Sequence, residues 1–240
     1  MEIVKFLNLS PQNSKGLHVP LYRNAKKLYN DALLITDINK SYSTSVSLLI
    51  LSSEEIVKAI LVLMHSEGYK VYQIDSAKKF FHDHKIRHQI AQLIESGTGL
   101  FEMMIVWEEE RKKKIINTKA KWLNDLVHFI KDGYKAIQPM LKTKERIEKL
   151  EQFNDLKNQG LYVNYENGII DPQNQILKED FEEVHQMVKR IFYYYKGLRV
   201  FFHPMLKNHI PKSEIEQGKK DLKFFVEDAM KGFSFKDLKT

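Results

Sequence analysis

The 240-residue chain has no cysteine. That excludes disulfides and thiolate metal sites, and it is compatible with a reducing compartment. Arginine is scarce: Arg23, Arg87, Arg111, Arg146, Arg190 and Arg199 are all there are, so the formal net charge of +7 is carried mainly by lysine. Such a balance favours weak attraction to phosphates. It is equally what a lysine-rich soluble protein shows, so it supports a nucleic-acid partner only where a site is already in view. Long apolar runs are also missing. The most apolar stretch, 46–64, is interrupted by Ser52, Ser53, Glu54, Glu55 and Lys58, so no membrane span is expected. The first residues, Met1 to Phe6, lack the basic start and apolar run of a secretory leader, and a cytoplasmic protein is expected. There is no Gly-rich phosphate loop, Walker motif, internal repeat or low-complexity linker.

What is present is helical periodicity. Apolar residues make up 43% of the chain, enough for a real core. After an irregular lead over 1–19, Pro20 suits the first turn of a helix to about Asn39, with Leu21, Ala25, Leu28, Ala32 and Ile35 on one face. Ser41 to Ser45 offer caps for a second helix to Gly68, apolar on most sides and so central. Helices are further predicted over 77–95, about 100–137 and about 143–158. Alternation at Leu161, Val163 and Tyr165, followed by Asn167-Gly168, predicts a small β-hairpin near 161–170. An amphipathic helix over 178–203 carries Phe181, Val184, Val188, Ile191, Phe192, Tyr195 and Leu198. Pro204 ends it, and a last helix runs from about 211 to 231. The expected organisation is a single all-α domain, 1–240, with a core of about 20–204 and a hairpin inserted at about 160–172.

Two charged patches interrupt the apolar pattern. One is Glu54, Glu55 and Lys58, set between Val46–Leu51 and Ala59–Met64. The other is His82-Asp83-His84-Lys85-Ile86-Arg87-His88. Glu54 and Glu55 can each reach Lys58 along the helix. His84 and His88, four apart, share a face, and Arg87 adjoins His84. Buried charge is costly unless paired or used, so these patches are the place to look for function. Imidazoles can exchange protons near neutral pH, and adjacent cations can stabilise a charged phosphoryl group. A metal pair at i and i+4 is the other chemistry such histidines allow, but no second ligand cluster accompanies them. Helix-surface histidines and a routine Glu–Lys pair are the plain structural reading. Arg199 and His203 form a weaker second polar candidate. The run Phe192-Tyr193-Tyr194-Tyr195 reads as core and interface.

The ordered set Ser53-Glu54-Glu55-Ile56-Val57-Lys58-Ala59, then Phe81 through His88, then Leu156-Lys157-Asn158-Gln159-Gly160-Leu161-Tyr162-Val163-Asn164-Tyr165 with Pro172, resembles the AbiV-type abortive infection proteins of the HEPN superfamily. The motifs cover about residues 24–172. The resemblance implies an all-α HEPN-like helical bundle, often dimeric, and a bacterial phage-defence role. Many HEPN proteins are metal-independent ribonucleases, in which an arginine and a histidine with four to six residues between them carry the chemistry. No arginine of this chain has a histidine at that gap. The nearest equivalents are His84, Lys85, Arg87 and His88, with Glu55 and Lys58 from the neighbouring helix.

Two functions are therefore expected in competition. In the first, the protein is a metal-independent endoribonuclease without a cofactor. His84 or His88 is its acid–base group, Arg87 and Lys85 hold phosphate, and Glu55 orients a histidine or pairs with Lys58. RNA is the partner, and a phage-encoded protein is the activator that the resemblance suggests. In the second, it is a non-enzymatic module that binds a phage or host protein, or RNA, and the charges only hold helices in register. A homodimer is expected in either case, from the aromatic-rich amphipathic helix 178–203, the HEPN precedent and the need to assemble a composite site.

Overall fold

In the computed structural model, the described residues are 5–74, 77–85, 87–92, 94–95, 148–208, 211–224 and 226–227, the side chains of 78 and 214 excepted. The helices predicted over 100–137 and the first part of 143–158 lie outside them. The chain divides into two compact units. One is 1–91 with 151–240, and the other is 92–150. Of the second, the described residues 92, 94, 95 and 148–150 are all helical.

The first unit is built from helices. After a 3-10 turn at Phe6–Asn8 comes α1 (Pro11–Ser14), whose entry is fixed by Ser10: its Oγ accepts from the Asn13 N–H at 3.2 Å, and Pro11 takes the first helical position. α2 (His18–Asn39) ends at Lys40, which adopts a left-handed conformation with φ 54° and turns the chain into α3 (Tyr42–Ser66). α3 is the centre of the unit, with buried residues on most sides along its length.

α2 lies antiparallel to α3 along a seam of small side chains. The Ser45 hydroxyl donates to the Ala32 carbonyl at 2.9 Å, and the Ser52 hydroxyl donates to the Ala25 carbonyl at 2.7 Å. Both bonds step by seven residues on each helix. Ala25 and Ala32 are fully buried between them, which lets the backbones approach closely. The buried line of α2 is Ala25, Tyr29, Ala32 and Thr36 rather than Leu21, Leu28 and Ile35. Those three are half-buried at its flanks.

A helix was expected over 77–95, but Ala77–Lys79 is a 3-10 turn and α-helical residues begin at 84 (84–85, 87–92 and 94–95; α4). Asp83 explains the start: its Oδ1 accepts from the Lys85 N–H at 2.9 Å, as an N-cap carboxylate does. Helical residues 148–151 lead to α5 (Phe153–Gln159). The predicted hairpin follows, with only two residues per strand: β1 (Asn164–Tyr165) pairs antiparallel with β2 (Ile169–Ile170), Asn164 opposite Ile170. Asn167 takes φ 57° at its tip. Leu161, Tyr162, Val163, Tyr165 and Ile169 are all exposed. α6 (Pro172–Gln175) is capped by Asp171, and α7 (Lys178–Phe201) and α8 (Lys212–Phe224) complete the described helices.

α7 buries Phe181, Val184, Val188, Ile191, Phe192, Tyr195 and Leu198 inside its own unit, against α3 and the rings of α2. Tyr22 stacks on Tyr195 at 4.9 Å, and Tyr29 meets Phe192 edge-on at 5.3 Å. The face expected to join two copies therefore packs within one chain. Among the described residues, no helix is long and apolar enough to cross a membrane.

Candidate active site

Glu54 is the hub. It lies on the line Ile50, Val57 and Leu61 of α3, all essentially inaccessible, and its own side chain is 3% exposed. A lone carboxylate there must be paired, and four basic side chains converge on it. Oε2 accepts from Arg87 Nη2 at 2.9 Å and also meets His84 Nδ1. Oε1 accepts from Lys157 Nζ at 3.2 Å and faces His88 Nε2 at 3.3 Å.

Each partner is placed by its helix. Asp83 starts α4 one residue before His84, so His84, Arg87 and His88 fall on the face turned to α3. Arg87 Nη1 also donates to the Phe80 carbonyl at 3.3 Å, tying the helix to the turn before it. The His88 ring packs edge-on against Phe153 of α5 at 5.7 Å. Lys157 arrives through the end of α5. There the Ser47 hydroxyl donates to the Lys157 carbonyl at 2.9 Å. Gly160 lies so close to α3 that a Cβ would come within 2.5 Å of the Ser43 carbonyl oxygen and meet Ser47 Oγ. Glycine at 160 is thus part of how Lys157 reaches Glu54.

Burial alone would push the Glu54 carboxyl up. The His88, Arg87 and His84 side chains around it outweigh that and hold it well below the usual carboxylate range. His88 is the converse: desolvation pushes its imidazole below the ordinary value, and the pull of Glu54 does not restore it. At neutral pH the hub is therefore an ionised carboxylate with Arg87 and Lys157 as its cations and a neutral His88 beside it.

His84 differs from the other three. Its side chain is 49% exposed, against 3% for Arg87, 4% for His88 and 10% for Lys157. Its Nδ1 stands near both Glu54 Oε2 and Arg87 Nη2, the latter at 2.8 Å. The carboxylate only accepts and calls for the proton on Nδ1, whereas the Arg87 guanidinium only donates and calls for a lone pair there; in the first of these tautomers His84 donates to Glu54. Nε2 then carries the lone pair on a half-exposed ring. This is the arrangement that prepares an imidazole to take a proton: an acid fixes tautomer and orientation from behind, and the free nitrogen faces outward.

Of the residues singled out from the sequence, His84, Arg87 and His88 come together here. Lys85 is exposed beside them. Glu55 and Lys58 do not join them. Glu55 pairs with Lys58 and accepts from Asn24 Nδ2 at 3.2 Å, on the edge of α3 that faces α2. Lys58 also borders a groove lined by Phe6, Leu9, Leu17, Phe81 and His82. Two hub residues were missed as site residues, Glu54 and Lys157. For Glu54 the signal was its apolar line at spacings of four and three. For Lys157 it was Phe153 four before and Gly160 three after.

A family model, HEPN_AbiV (AbiV), matches residues 13–192, three quarters of the chain and every residue of the hub. The chain belongs to the AbiV family and is an abortive-infection protein of HEPN type. No curated protein and no solved structure matches it.

Proposed function

We propose that this protein is an antiphage effector that cleaves RNA without a metal, with His84 as the proton acceptor. The observation that carries the reading is the Glu54 carboxylate behind the Nδ1 of a half-exposed His84, in a chain of the AbiV family. His84 Nε2 takes the proton of a ribose 2′-hydroxyl. The 2′-oxygen bonds to the adjacent phosphorus and the bond from phosphorus to the 5′-oxygen breaks, leaving a 2′,3′-cyclic phosphate. The departing 5′-oxygen takes up one proton from solvent and His84 afterwards returns its own to solvent, so protons balance and no metal enters the step. Lys85, exposed beside His84, is the cation placed to meet the phosphate. Arg87, His88 and Lys157 are buried and act through Glu54, as positioning groups. Loss of RNA then arrests translation in the infected cell, and a phage-encoded protein is the trigger. The protein works as a cytoplasmic homodimer. With the α7 face packed internally, the exposed apolar side chains of the hairpin are the surface assigned to that contact.

A second reading is favoured by the depth of the hub. Glu54, Arg87, His88 and Lys157 are all buried, as expected of a network that holds three helices in register while the protein acts by binding alone. Comparing RNA ends in cells that make equal amounts of folded wild type or His84→Ala, with and without phage, separates the two. The expected result is cyclic-phosphate ends with wild type and at least about a 100-fold drop with His84→Ala, the usual worth of a general base. Intact RNA alongside preserved phage resistance would establish the binding reading.

A further inference from the structure

Acidic residues are unevenly distributed. Between Glu2 and Asp31 there is none, and between Glu183 and Glu214 there is none. These two segments carry eleven lysines and arginines, more than the net charge of the whole chain. They are far apart in sequence, yet the fold joins them. His18 Nδ1 meets the Tyr195 hydroxyl at 2.7 Å, Tyr22 stacks on Tyr195, and Tyr29 packs on Phe192. The surface where the first half of α2 meets the second half of α7 is consequently cationic with no acid from either segment.

Two hollows run along this surface and meet at Tyr22. One, of about 670 Å³, is lined by Lys196, Arg199, His203 and Met205, and the other by Arg23, Lys26, Lys27 and Asn30, with Asp31 at its far end. Arg199 has no carboxylate partner among the described residues. The cations sit among rings: Lys26 lies over Tyr29 at 4.4 Å, and Lys189 and Lys196 flank the exposed Tyr193 at 5.9 and 5.6 Å. Partial burial lowers the Lys26 pKa, and the charge of Lys196, from the other helix, adds to that lowering. Unpaired like charges held together are relieved by a polyanion.

We propose that this α2–α7 face binds the sugar–phosphate backbone of single-stranded RNA, with Lys26, Lys196 and Arg199 on phosphates and Tyr22 and Tyr193 as stacking surfaces. Cationic hollows that share Tyr22, with Tyr193 exposed beside Lys196, suit a single strand, because every base has a face to stack and phosphates recur along it. Arg199 and His203 lie beyond the residues matched by the family model. The inference deepens the ribonuclease reading by assigning where substrate is held away from His84.

The test is binding of a fluorescent single-stranded oligouridylate, roughly 12 nucleotides long, to the full chain carrying His84→Ala so that the probe stays intact. Adding Lys196→Glu and Arg199→Glu is expected to weaken binding at least tenfold. It should also flatten the slope of log K against log salt by about 1.4, two phosphate contacts at roughly 0.7 each. Lys196→Gln with Arg199→Gln repeats the measurement should the reversed charges disturb folding. Reversing Lys219 and Lys223 on α8 makes the same change in net charge and is expected to cost less than threefold. Equal losses from both reversals, unchanged binding, or no binding by the parent protein at low salt would each overturn the proposal. Cleavage enters none of these readouts, so RNA binding through Arg199 without cyclic-phosphate ends in cells would remove the ribonuclease reading alone.

Discussion

Glu54 and Glu55 are neighbours on one helix, and their surroundings are opposite. Glu54 lies on the line Ile50, Val57 and Leu61 and is enclosed by four basic groups from two other helices. Glu55 lies about 100° further round, on the half-buried edge shared with Leu51 and Lys58, and holds one lysine and one asparagine. The same side chain is thus a structural anchor in one register and an edge ion pair in the next. The comparison teaches that a carboxylate's role follows from the helix line it occupies, and only then from the charges nearby in sequence.

The largest break in this contrast comes from Glu54→Gln. It leaves Arg87 and Lys157 buried against a neutral amide, and the expected loss is about 3–5 kcal/mol, the usual cost of stranding a buried charge. Denaturant melts will show it as a fall in midpoint. Acid weakens the same hub more gradually. The Glu54 carboxyl is depressed in the folded state, so its contribution is present above the unfolded pKa near 4.5 and is lost as pH falls through the lower folded value. The His88 imidazole is also depressed, so the unfolded chain binds its proton first, and stability begins to fall below about pH 6.5. His18 and His185, both lowered mainly by burial, act in the same direction. Melts between pH 7.5 and 5 should therefore show declining stability, with a shallower slope in His88→Gln than in wild type. The smallest effect belongs to Glu55→Gln, expected to cost about 0.5 kcal/mol as exposed or half-exposed pairs do. A loss near that of Glu54→Gln would erase the distinction between the two sites.

The elements that could be read from sequence are those marked by local chemistry. Pro20 near the start of α2, the Asn167-Gly168 turn and the stop before Pro204 each act through backbone geometry that needs no distant partner. The helix expected from 77 has its α-helical residues only from 84, where Asp83 caps it, although an N-cap aspartate is itself a local signal. The site was only half legible. His84, Arg87 and His88 share a helix, and their spacing reveals them. Their common partner depends on tertiary packing, because Lys157 meets Glu54 from 103 residues away. The aromatic face of α7 illustrates the same limit. Its period showed that it would be buried, but the ring contacts of Tyr22 and Tyr29 decide that the cover comes from the same chain.

The separation between Glu54 and Lys157 also bears on the order of synthesis. A ribosome delivers Glu54 and then the 84–88 segment, and must translate the whole of 92–150 before the last cation of the hub exists. Until Lys157 emerges and Gly160 lets α5 settle on α3, the carboxylate behind His84 lacks one of its four supports. An emerging chain of this abortive-infection family thus leaves its hub incomplete until about two thirds of its length has been made.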